Sequence, residues 1–334
     1  MIRMDSPSKC SVTKTGDSSY GTIVKSSGII GGAQIISYAI GLLSTKAKAL
    51  LIGPTGVGLF GIFGSIQTIA QTVSGMGLMN SGVREIASSQ GSDQIEQRAQ
   101  LQLALGRLGL SFGIIVAGLL TLNSIWISQA LFGKPDQWLN ISLLGIVFIF
   151  RGLTINNQAT LQGLRKIFEI GKSSVISGLL VAIVTILLIY LYGIHGIVPS
   201  ILSAAAVSLS VSYYFAHRYL ERPVDSSWAT TYAHARRLLP LGAAVAWGAL
   251  LAELPPLLAR SYIVRDFGLD ANGFYVAAWA LSGLFINILI NALSVDFYPR
   301  LSAVASDPIR SSRVINEQTE MGILAAFPAV IALV

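Results

Sequence analysis

The fold is decided by a run at residues 138–160, which reads WLNISLLGIVFIFRGLTINNQAT. The run is about as long as the roughly 20 residues that an α-helix needs to cross a bilayer. Its one charged side chain, Arg151, lies about 15 Å of helix from either interface, at ~1.5 Å per residue. A cation at that depth is costly and usually marks a substrate or ion path. The sequence therefore predicts a membrane-spanning helix that carries a functional cation.

Composition extends this prediction to the whole chain. Of its 334 residues, 53% are hydrophobic and only 12% are charged, against about 25% charged in a typical soluble domain. A further apolar run opens near Met321, and the runs long enough to span are Ser27–Ile52, Leu59–Val83, Leu108–Phe132, Trp138–Thr160, Ser173–Tyr192, Ile197–Ala216, Leu238–Tyr262 and Ala271–Val295. Because lipid offers no hydrogen bonds to an open backbone, these runs predict an all-α polytopic membrane protein. The pairs Gly28/Gly32 and Gly109/Gly113 predict closely packed helices.

The basic residues sort to alternate sides of the predicted spans. Three fall on the side opposite the N-terminus (Lys134, Arg260 and Arg265), and three lie within spans (Lys46, Lys48 and Arg151). The other 17 of the 23 lie on the N-terminal side: Arg3, Lys9, Lys14, Lys25, Arg84, Arg98, Arg107, Arg165, Lys166, Lys172, Arg218, Arg222, Arg236, Arg237, Arg300, Arg310 and Arg313. Such an excess marks the cytoplasmic side of a membrane, so we predict a cytoplasmic N-terminus. The net charge of +7 then reflects orientation, and no nucleic-acid partner is expected.

The first 26 residues are rich in Ser, Lys and Thr, which predicts a disordered cytoplasmic tail at residues 1–26. The single cysteine, Cys10, lies in this tail, so no disulfide within the chain is possible. The span that follows is too long for a signal-peptide core and lacks an A-x-A cleavage site. We therefore expect a retained helix.

Two stretches of the chain repeat each other. Residues 53–60 read GPTGVGLF and residues 268–275 read GLDANGFY, each with Gly-x4-Gly followed by an apolar and an aromatic residue. Arg84 and Arg300 follow the second glycines by 26 and 27 residues. The offset predicts a duplicated six-helix unit, with a first lobe at 27–216, a cytoplasmic linker at 217–237 and an incomplete second lobe at 238–334. Here the second lobe would hold about two and a half helices, and its completion to about residue 430 would add three more.

Three stretches resemble a known family. They are LLIGPTGVGLFG at 50–61, GMGLMNSGVRE at 75–85, and AWALSG at 278–283 followed by DFYPR at 296–300. They are similar to O-antigen flippases, the polysaccharide-transporter branch of the multidrug/oligosaccharidyl-lipid/polysaccharide exporter superfamily. The resemblance implies two six-helix lobes around a central cavity that opens alternately to either side of the bacterial inner membrane. The implied cargo is an oligosaccharide on a polyprenyl pyrophosphate, used in lipopolysaccharide biosynthesis.

Polar side chains follow the mid-span cation at helical spacing. In the fourth span they stand at i, i+3, i+6, i+7 and i+11: Arg151, Thr154, Asn157, Gln158 and Gln162. The first, second and eighth spans carry similar stripes: Gln34, Tyr38, Gly41, Thr45 and Lys48, then Gln67, Gln71 and Ser74, then Asn287 and Asn291. A water-accessible interior is predicted, in which cations bind an anionic headgroup and amides hydrogen-bond sugars. The predicted substrate-binding residues are Arg151, Lys48, Gln67, Gln71, Asn157, Gln158, Asn287 and Asn291.

Each of these residues also has a structural interpretation. Lys48 lies near Gly53 and could reach the interface with its charged end, and the amides could bond neighbouring helices. Glu253, the one mid-span carboxylate, could couple transport to an ion or pair with Arg151. Pro255-Pro256 follows it and predicts a bend or break in the helix.

Motifs for catalysis are absent from the sequence. It holds no G-x4-G-K-[ST] phosphate loop, and His195, His217 and His234 lack metal-ligand spacing. We therefore expect a non-enzyme without cofactor or metal. The alternatives are a cation-coupled multidrug exporter, which should carry more cavity carboxylates, a membrane-embedded glycan polymerase and a structural scaffold. The expected partners are the lipid-linked oligosaccharide and membrane lipid, and the sequence leaves open a coupling proton or sodium ion and a glycan polymerase.

Overall fold

The computed structural model describes residues 16–75, 77–89, 95–221, 228–303 and 308–333, with side chains mainly at 32–75, 77–89, 95–221, 246–280 and 310–324. The described residues are helical, without a β-strand, which confirms the predicted fold class. The helices are α1 (Gly16–Gly75), α2 (Leu78–Ser88), α3 (Ile95–Leu122), α4 (Ser124–Phe132), α5 (Trp138–Gly163), α6 (Ile167–Tyr192), α7 (Ile197–Ala216), α8 (Trp228–Ala303) and α9 (Pro308–Leu333).

Several helical stretches are suited to a membrane. Within the described ranges, four are long and apolar enough to cross one: Gly32–Gly75, Ile95–Leu122, Pro135–Gly163 and Ile167–Ala216. The first and last are 44 and 50 residues long, room for two crossings each at about 20 residues per crossing. Large apolar side chains such as Leu43, Leu119 and Leu187 are exposed on their surfaces. Lipid covers such a surface in a multi-pass membrane protein.

Two helices, α1 and α8, each consist of two limbs joined at a glycine. Gly53 has φ 62° and ψ −171°, and Gly268 has φ 89° and ψ 174°. Such positive φ values strain any residue with a Cβ atom, which explains the glycine at both positions. The two kinks lie 215 residues apart, at the first glycine of each predicted repeat. The repeated sequence thus has a repeated backbone conformation.

Two predicted spans are interrupted in the structure. The predicted span Leu59–Val83 stops at Gly75, because Gly77 takes a left-handed conformation with φ 66° and α2 begins at the next residue. The predicted span Leu108–Phe132 is divided at Asn123, between α3 and α4. The Asn123 side chain donates to the Leu119 carbonyl oxygen at 2.9 Å. Asparagine competes for backbone groups in this way and thereby favours helix ends.

Several helices extend beyond the apolar runs that predicted them. α1 begins within the predicted tail 1–26, α8 begins within the predicted linker 217–237, and α9 begins before the apolar run near Met321. Residues 1–15 of the tail lie outside the described residues. Once a helix is nucleated, each added residue costs little, so an apolar run underestimates its length. Of the bend or break predicted at Pro255-Pro256, the break is wrong, since the non-helical backbone of α8 lies at Gly268, and the bend stays a prediction.

Glycines let α3 and α5 pack closely. A methyl group added at Gly109 would lie 2.3 Å from the carbonyl oxygen of Gly152, and one added at Gly152 would lie 2.1 Å from that of Gly109. A methyl group added at Gly113 would likewise lie 2.6 Å from the carbonyl oxygen of Phe148. The close packing predicted for Gly109/Gly113 is therefore confirmed. At Gly32 an added methyl group would meet no atom of the described residues within 4 Å, and Gly28 lies outside the residues whose side chains are described.

An apolar core lies beside the site described next. It joins α1, α3, α5, α6 and α7 through buried side chains such as Phe63, Leu144, Phe148 and Ile197. Val147 belongs to this core and is 1% exposed. Because it precedes Arg151 by one helical turn, the core fixes the helix that carries the predicted cation.

Candidate functional site

A polar cavity of about 690 Å³ lies among α1, α5, α6 and α7. Cavities of ~300–1,000 Å³ hold small ligands in many proteins. The resemblance implies a cavity between two lobes, whereas every described lining residue belongs to the first predicted lobe. None of these residues is a carboxylate, and the polar ones are Ser37, Ser44, Lys48, Gln67, Gln71, Ser74, Arg151, Thr154, Gln158, Gln162, Ser173, Ser174, Ser177, Thr185, Ser200, Ser208 and Ser212.

Both predicted cations reach this cavity. Arg151 is half-buried, and its guanidinium has no hydrogen-bond or ion-pair partner among the described side chains. The alternative pairing of Arg151 with Glu253 is therefore not formed. Lys48 is also half-buried, with its Nζ 4.7 Å from the ring centre of Phe60. This cation–π contact joins the two limbs of α1 and keeps the ammonium group at the cavity wall.

Amide side chains line the cavity beside these cations. Gln67 and Gln71 come from α1, and Gln158 and Gln162 come from α5. Within the described part of the chain, their side chains make no hydrogen bond. Each amide has two donors and a carbonyl acceptor. The cavity wall therefore presents unfilled hydrogen-bonding groups of both kinds.

A second polar wall, on α6 and α7, was missed by the sequence analysis. Ser177 and Ser208 lie with their Oγ atoms 3.3 Å apart, and Ser174 and Ser37 lie 3.4 Å apart. Ser173 and Ser212 also line the cavity. The signal was the spacing of Ser173 and Ser177 on α6, and of Ser208 and Ser212 on α7, at four residues. The sequence prediction of the site was based on charged and amide side chains, and serines within such apolar spans are neither.

Some predicted residues lie away from the cavity. Asn157 is 4% exposed, and its amide nitrogen contacts Ser212 Oγ at 3.3 Å, between α5 and α7. At about 100° per residue, position i+6 from Arg151 lies ~120° around the helix, whereas i+7 and i+11 lie within ~20°. The predicted stripe on α5 was therefore too broad. Asn287 and Asn291 lie in the second limb of α8, outside the residues whose side chains are described.

The stripe on the first limb of α1 is rotated from the predicted one. Ser37, Ser44 and Lys48 line the cavity, whereas Gln34 and Tyr38 are exposed. Lys48 belongs to both stripes, but the residues predicted beside it lie on the neighbouring face. The predicted stripe therefore includes the lysine that lines the cavity, and its other members lie one position away from the serines that do.

Glu253 does not line the cavity. It is half-buried on the first limb of α8, two helical turns before Arg260, with which it interacts electrostatically. Arg260, which the sequence placed on the side opposite the N-terminus, lies within α8 and donates from Nη1 to the carbonyl oxygen of Gly61 at 3.1 Å. It also donates to the hydroxyl of Ser65. Arg260 therefore ties α8 to the second limb of α1.

The two repeats also meet directly, next to their kinks. A methyl group added at Gly58 would lie 2.2 Å from the carbonyl oxygen of Leu269, and one added at Gly273 would lie 2.0 Å from that of Pro54. Both the glycines and the carbonyls are 215 residues apart. Each copy thus presents a glycine to the equivalent backbone carbonyl of the other. We call Pro54–Gly58 and Leu269–Gly273 together the repeat contact.

Side chains close the repeat contact. The hydroxyl of Thr55 donates to the carboxylate of Asp270, which lies at the equivalent position, 215 residues later. Asn272, fully buried, donates from Nδ2 to the carbonyl oxygen of Gly58 at 2.7 Å. The two predicted lobes are therefore joined where both kinks lie, at an end of the molecule that we call the kink end.

This fold and this cavity define the class: a polytopic α-helical membrane protein that repeats a kinked helix pair and encloses a cation-bearing polar cavity. The family follows from comparison with known proteins. The model of a family described as polysaccharide biosynthesis protein matches residues 49–334, and the chain belongs to this family.

Individual relatives agree with this assignment. Proteins named Lipid III flippase from Escherichia coli (strain K12) and Shigella flexneri are each 22% identical to the chain over 318 residues, covering 93% of this chain and 73% of the relative. A solved structure, described as the inward-facing conformation of a multidrug resistance MATE family transporter of the MOP superfamily, matches with a TM-score of 0.62 at 15% identity. The match covers 89% of this chain and 72% of that one, and it shows that the fold is shared.

Proposed function

We propose that the chain is a flippase that moves an oligosaccharide linked to polyprenyl pyrophosphate across the bacterial inner membrane by alternating access. Membership of the polysaccharide biosynthesis family supports this proposal. So do the names of the two relatives, each a Lipid III flippase. In this proposal the N-terminus is cytoplasmic, and the chain carries out no chemical reaction. An O-antigen unit is the cargo that the resemblance favours.

The observation that carries the proposal is the pair of cations in a ligand-sized cavity. Arg151 and Lys48 face this space, and no described carboxylate neutralises either of them. A cation withdrawn from water without a partner is costly, so the arrangement is best explained by an anion that arrives from outside. A pyrophosphate suits the guanidinium of Arg151, whose planar donors bind phosphate oxygens in pairs.

The remaining predicted residues keep supporting roles in this proposal. Gln67, Gln71 and Gln158 would hydrogen-bond the sugars, and Asn287 and Asn291 would contribute from the second lobe. Glu253 is the candidate for coupling to a proton or sodium ion, since it is the carboxylate predicted at mid-span. Its neighbour Arg260 would then respond to the charge on Glu253.

A cation-coupled multidrug exporter is the competing proposal. It would need carboxylates in the cavity to attract cationic cargo, and the described lining has none. The two cations would repel such cargo. The charge of the cavity therefore favours an anionic lipid-linked glycan.

Transport in reconstituted vesicles tests the proposal. The full chain would be placed in liposomes with a fluorescent polyprenyl-pyrophosphate disaccharide, and its transfer between leaflets measured with a membrane-impermeant quencher. We expect Arg151→Gln to slow transfer about tenfold or more, because a hydrogen bond to a charged group contributes ~1.5–3 kcal/mol. Arg151→Lys should retain an intermediate rate, because its charge remains. No transfer by the wild type would refute the function, and full transfer by Arg151→Gln would refute the role of Arg151.

A further inference from the structure

The polar groups of the cavity are ordered along its length. Lys48 lies five residues before the Gly53 kink, and Phe60, which contacts it, lies seven residues after. Ser74 lies at the other end of the same limb, next to the last residue of α1. Phe60 and Ser74 are 14 residues apart, which is about 20 Å along the helix at ~1.5 Å per residue. The end of the cavity that holds Lys48 is the one nearer the kink end of the molecule. We call the opposite end of the cavity, which holds Ser74, the far end.

Neutral groups occupy the far end. Ser174 is the eighth residue of α6, and Ser212 lies in the last two turns of α7. Ser177 and Ser208 lie near the middle of the same helices, at about the level of Arg151. Gln158 and Gln162 lie in the last turns of α5, about two and three turns beyond Arg151. All six line the cavity. Charge thus lies towards the kink end and the middle of the cavity, and uncharged hydrogen-bonding groups lie at the far end.

The Ser177 and Ser208 pair is bonded differently from other hydroxyls in these helices, including Ser212 at the far end, which donates to the Leu209 carbonyl oxygen at 2.9 Å. Thr68, Thr72 and Ser210 each donate to the carbonyl oxygen one turn earlier, at 2.9–3.0 Å. Ser177 instead contacts Ser208 across the gap between helices, at 3.3 Å. That is longer than the ~2.7–2.8 Å of a good hydroxyl hydrogen bond. A long bond between two hydroxyls is readily exchanged for bonds to a ligand.

We propose that the neutral side of the cavity, from the Ser177 and Ser208 pair to the far end, is a second subsite that takes uncharged sugar rings. This inference rests on the proposed function and adds where each part of the cargo lies. The pyrophosphate would lie at Arg151 and Lys48, and the sugars would lie against Ser177, Ser208 and the two far-end glutamines. Each serine hydroxyl provides a donor and two acceptors, which matches the hydroxyls of a sugar. No described far-end lining residue is charged, so the subsite recognises neutral sugars through many exchangeable bonds.

Binding of two matched ligands tests the second subsite. The probes are a short-chain prenyl pyrophosphate without sugar and the same compound bearing an uncharged disaccharide. Their dissociation constants would be measured by calorimetry with the detergent-purified full chain. We expect the double variant Ser177→Ala/Ser208→Ala to weaken the disaccharide probe about fivefold and to leave the sugar-free probe unchanged within about twofold. Arg151→Gln should weaken both probes alike.

A matched control is available on α7. Ser210 lies two residues from Ser208, is exposed, and does not line the cavity, so Ser210→Ala should change neither constant. Melting temperatures would establish that each variant folds, with Ser174→Ala as the substitute if the double variant does not. Equal weakening of both probes, or of neither, would overturn the second subsite while the Arg151 result keeps the proposed function. Failure of the wild type to bind either probe would refute the proposed function itself, and the subsite with it.

Discussion

Lys46 and Lys48 differ in surroundings although they lie two residues apart on the same limb of α1. Lys46 is exposed, whereas Lys48 is half-buried against the ring of Phe60 and lines the cavity. Two residues on a helix are separated by about 200°, so the two ammonium groups face nearly opposite directions. Lys46 therefore faces away from the cavity. Comparing substitutions of the two lysines therefore distinguishes a role in cargo binding from a general effect of charge.

Replacement of each lysine by methionine uses this difference. We expect Lys48→Met to reduce flipping of the pyrophosphate-linked disaccharide several-fold, because one of two cavity cations is lost, while a methionine still fits against Phe60. Lys46→Met should leave the rate within about twofold, since an exposed charge contributes little. The measurement is the vesicle transfer rate at equal protein content. Equal effects of the two substitutions would contradict a specific role for Lys48.

Asn157 and Gln158 show how far sequence could resolve the site at this scale. Both are amides beside the same cation, and a broad helical face includes them both. Only Gln158 lines the cavity, since Asn157 is turned by one residue, about 100°, towards Ser212 of α7. Periodicity identifies the right turn of the helix. The choice between adjacent positions depends on how neighbouring helices pack, which a single helix does not encode.

At the scale of helices, α3 and α5 depend on glycine for their contact. A methyl group at Gly109 meets the backbone of α5, whereas one at Gly118, on the same helix, meets no atom of the described residues within 4 Å. We expect Gly109→Ala to destabilise the protein by about 1–3 kcal/mol, the usual cost of overpacking, and to lower its melting temperature. Gly118→Ala should not lower it, because alanine favours helix more than glycine. A melting temperature unchanged by Gly109→Ala would show that the helices separate freely.

The same scale shows what sequence could and could not predict. The kinks at Gly53 and Gly268 were predictable, because a repeated glycine motif between apolar runs indicates a repeated turn. The serine wall of α6 and α7 was not, because a serine in an apolar helix can equally bond its own backbone. The helix ends at Gly75 and Asn123 were missed for a related reason, since hydropathy does not register a local break. Tertiary packing decides these cases.

For the molecule as a whole, the repeat contact joins the two predicted lobes at the kink end. Thr55 and Asp270 bond across it, and in the proposed mechanism the lobes would have to separate there for the cavity to open on that side. Alternating access, as proposed, therefore requires this contact to break in every cycle.

A cross-link across the repeat contact tests this requirement. The only native cysteine is Cys10, so Thr55→Cys/Asp270→Cys would be made in a Cys10→Ser background. We expect a short, cleavable thiol–thiol cross-linker to abolish flipping in vesicles and its cleavage to restore the rate. Thr55→Cys alone, treated identically, should keep transporting. Undiminished transport by the cross-linked protein would show that the kink end need not open.

Gly58 and Gly273 each face a main-chain carbonyl group of the other repeat, and this limits how the gene can change. A bulkier residue that faces a side chain can be accommodated when that side chain is replaced by a smaller one, but a main-chain carbonyl group cannot be made smaller. Substitution at either glycine therefore has no simple suppressor at the position it touches. The two copies of the repeated sequence differ over most of their length, and at this contact each one limits the other.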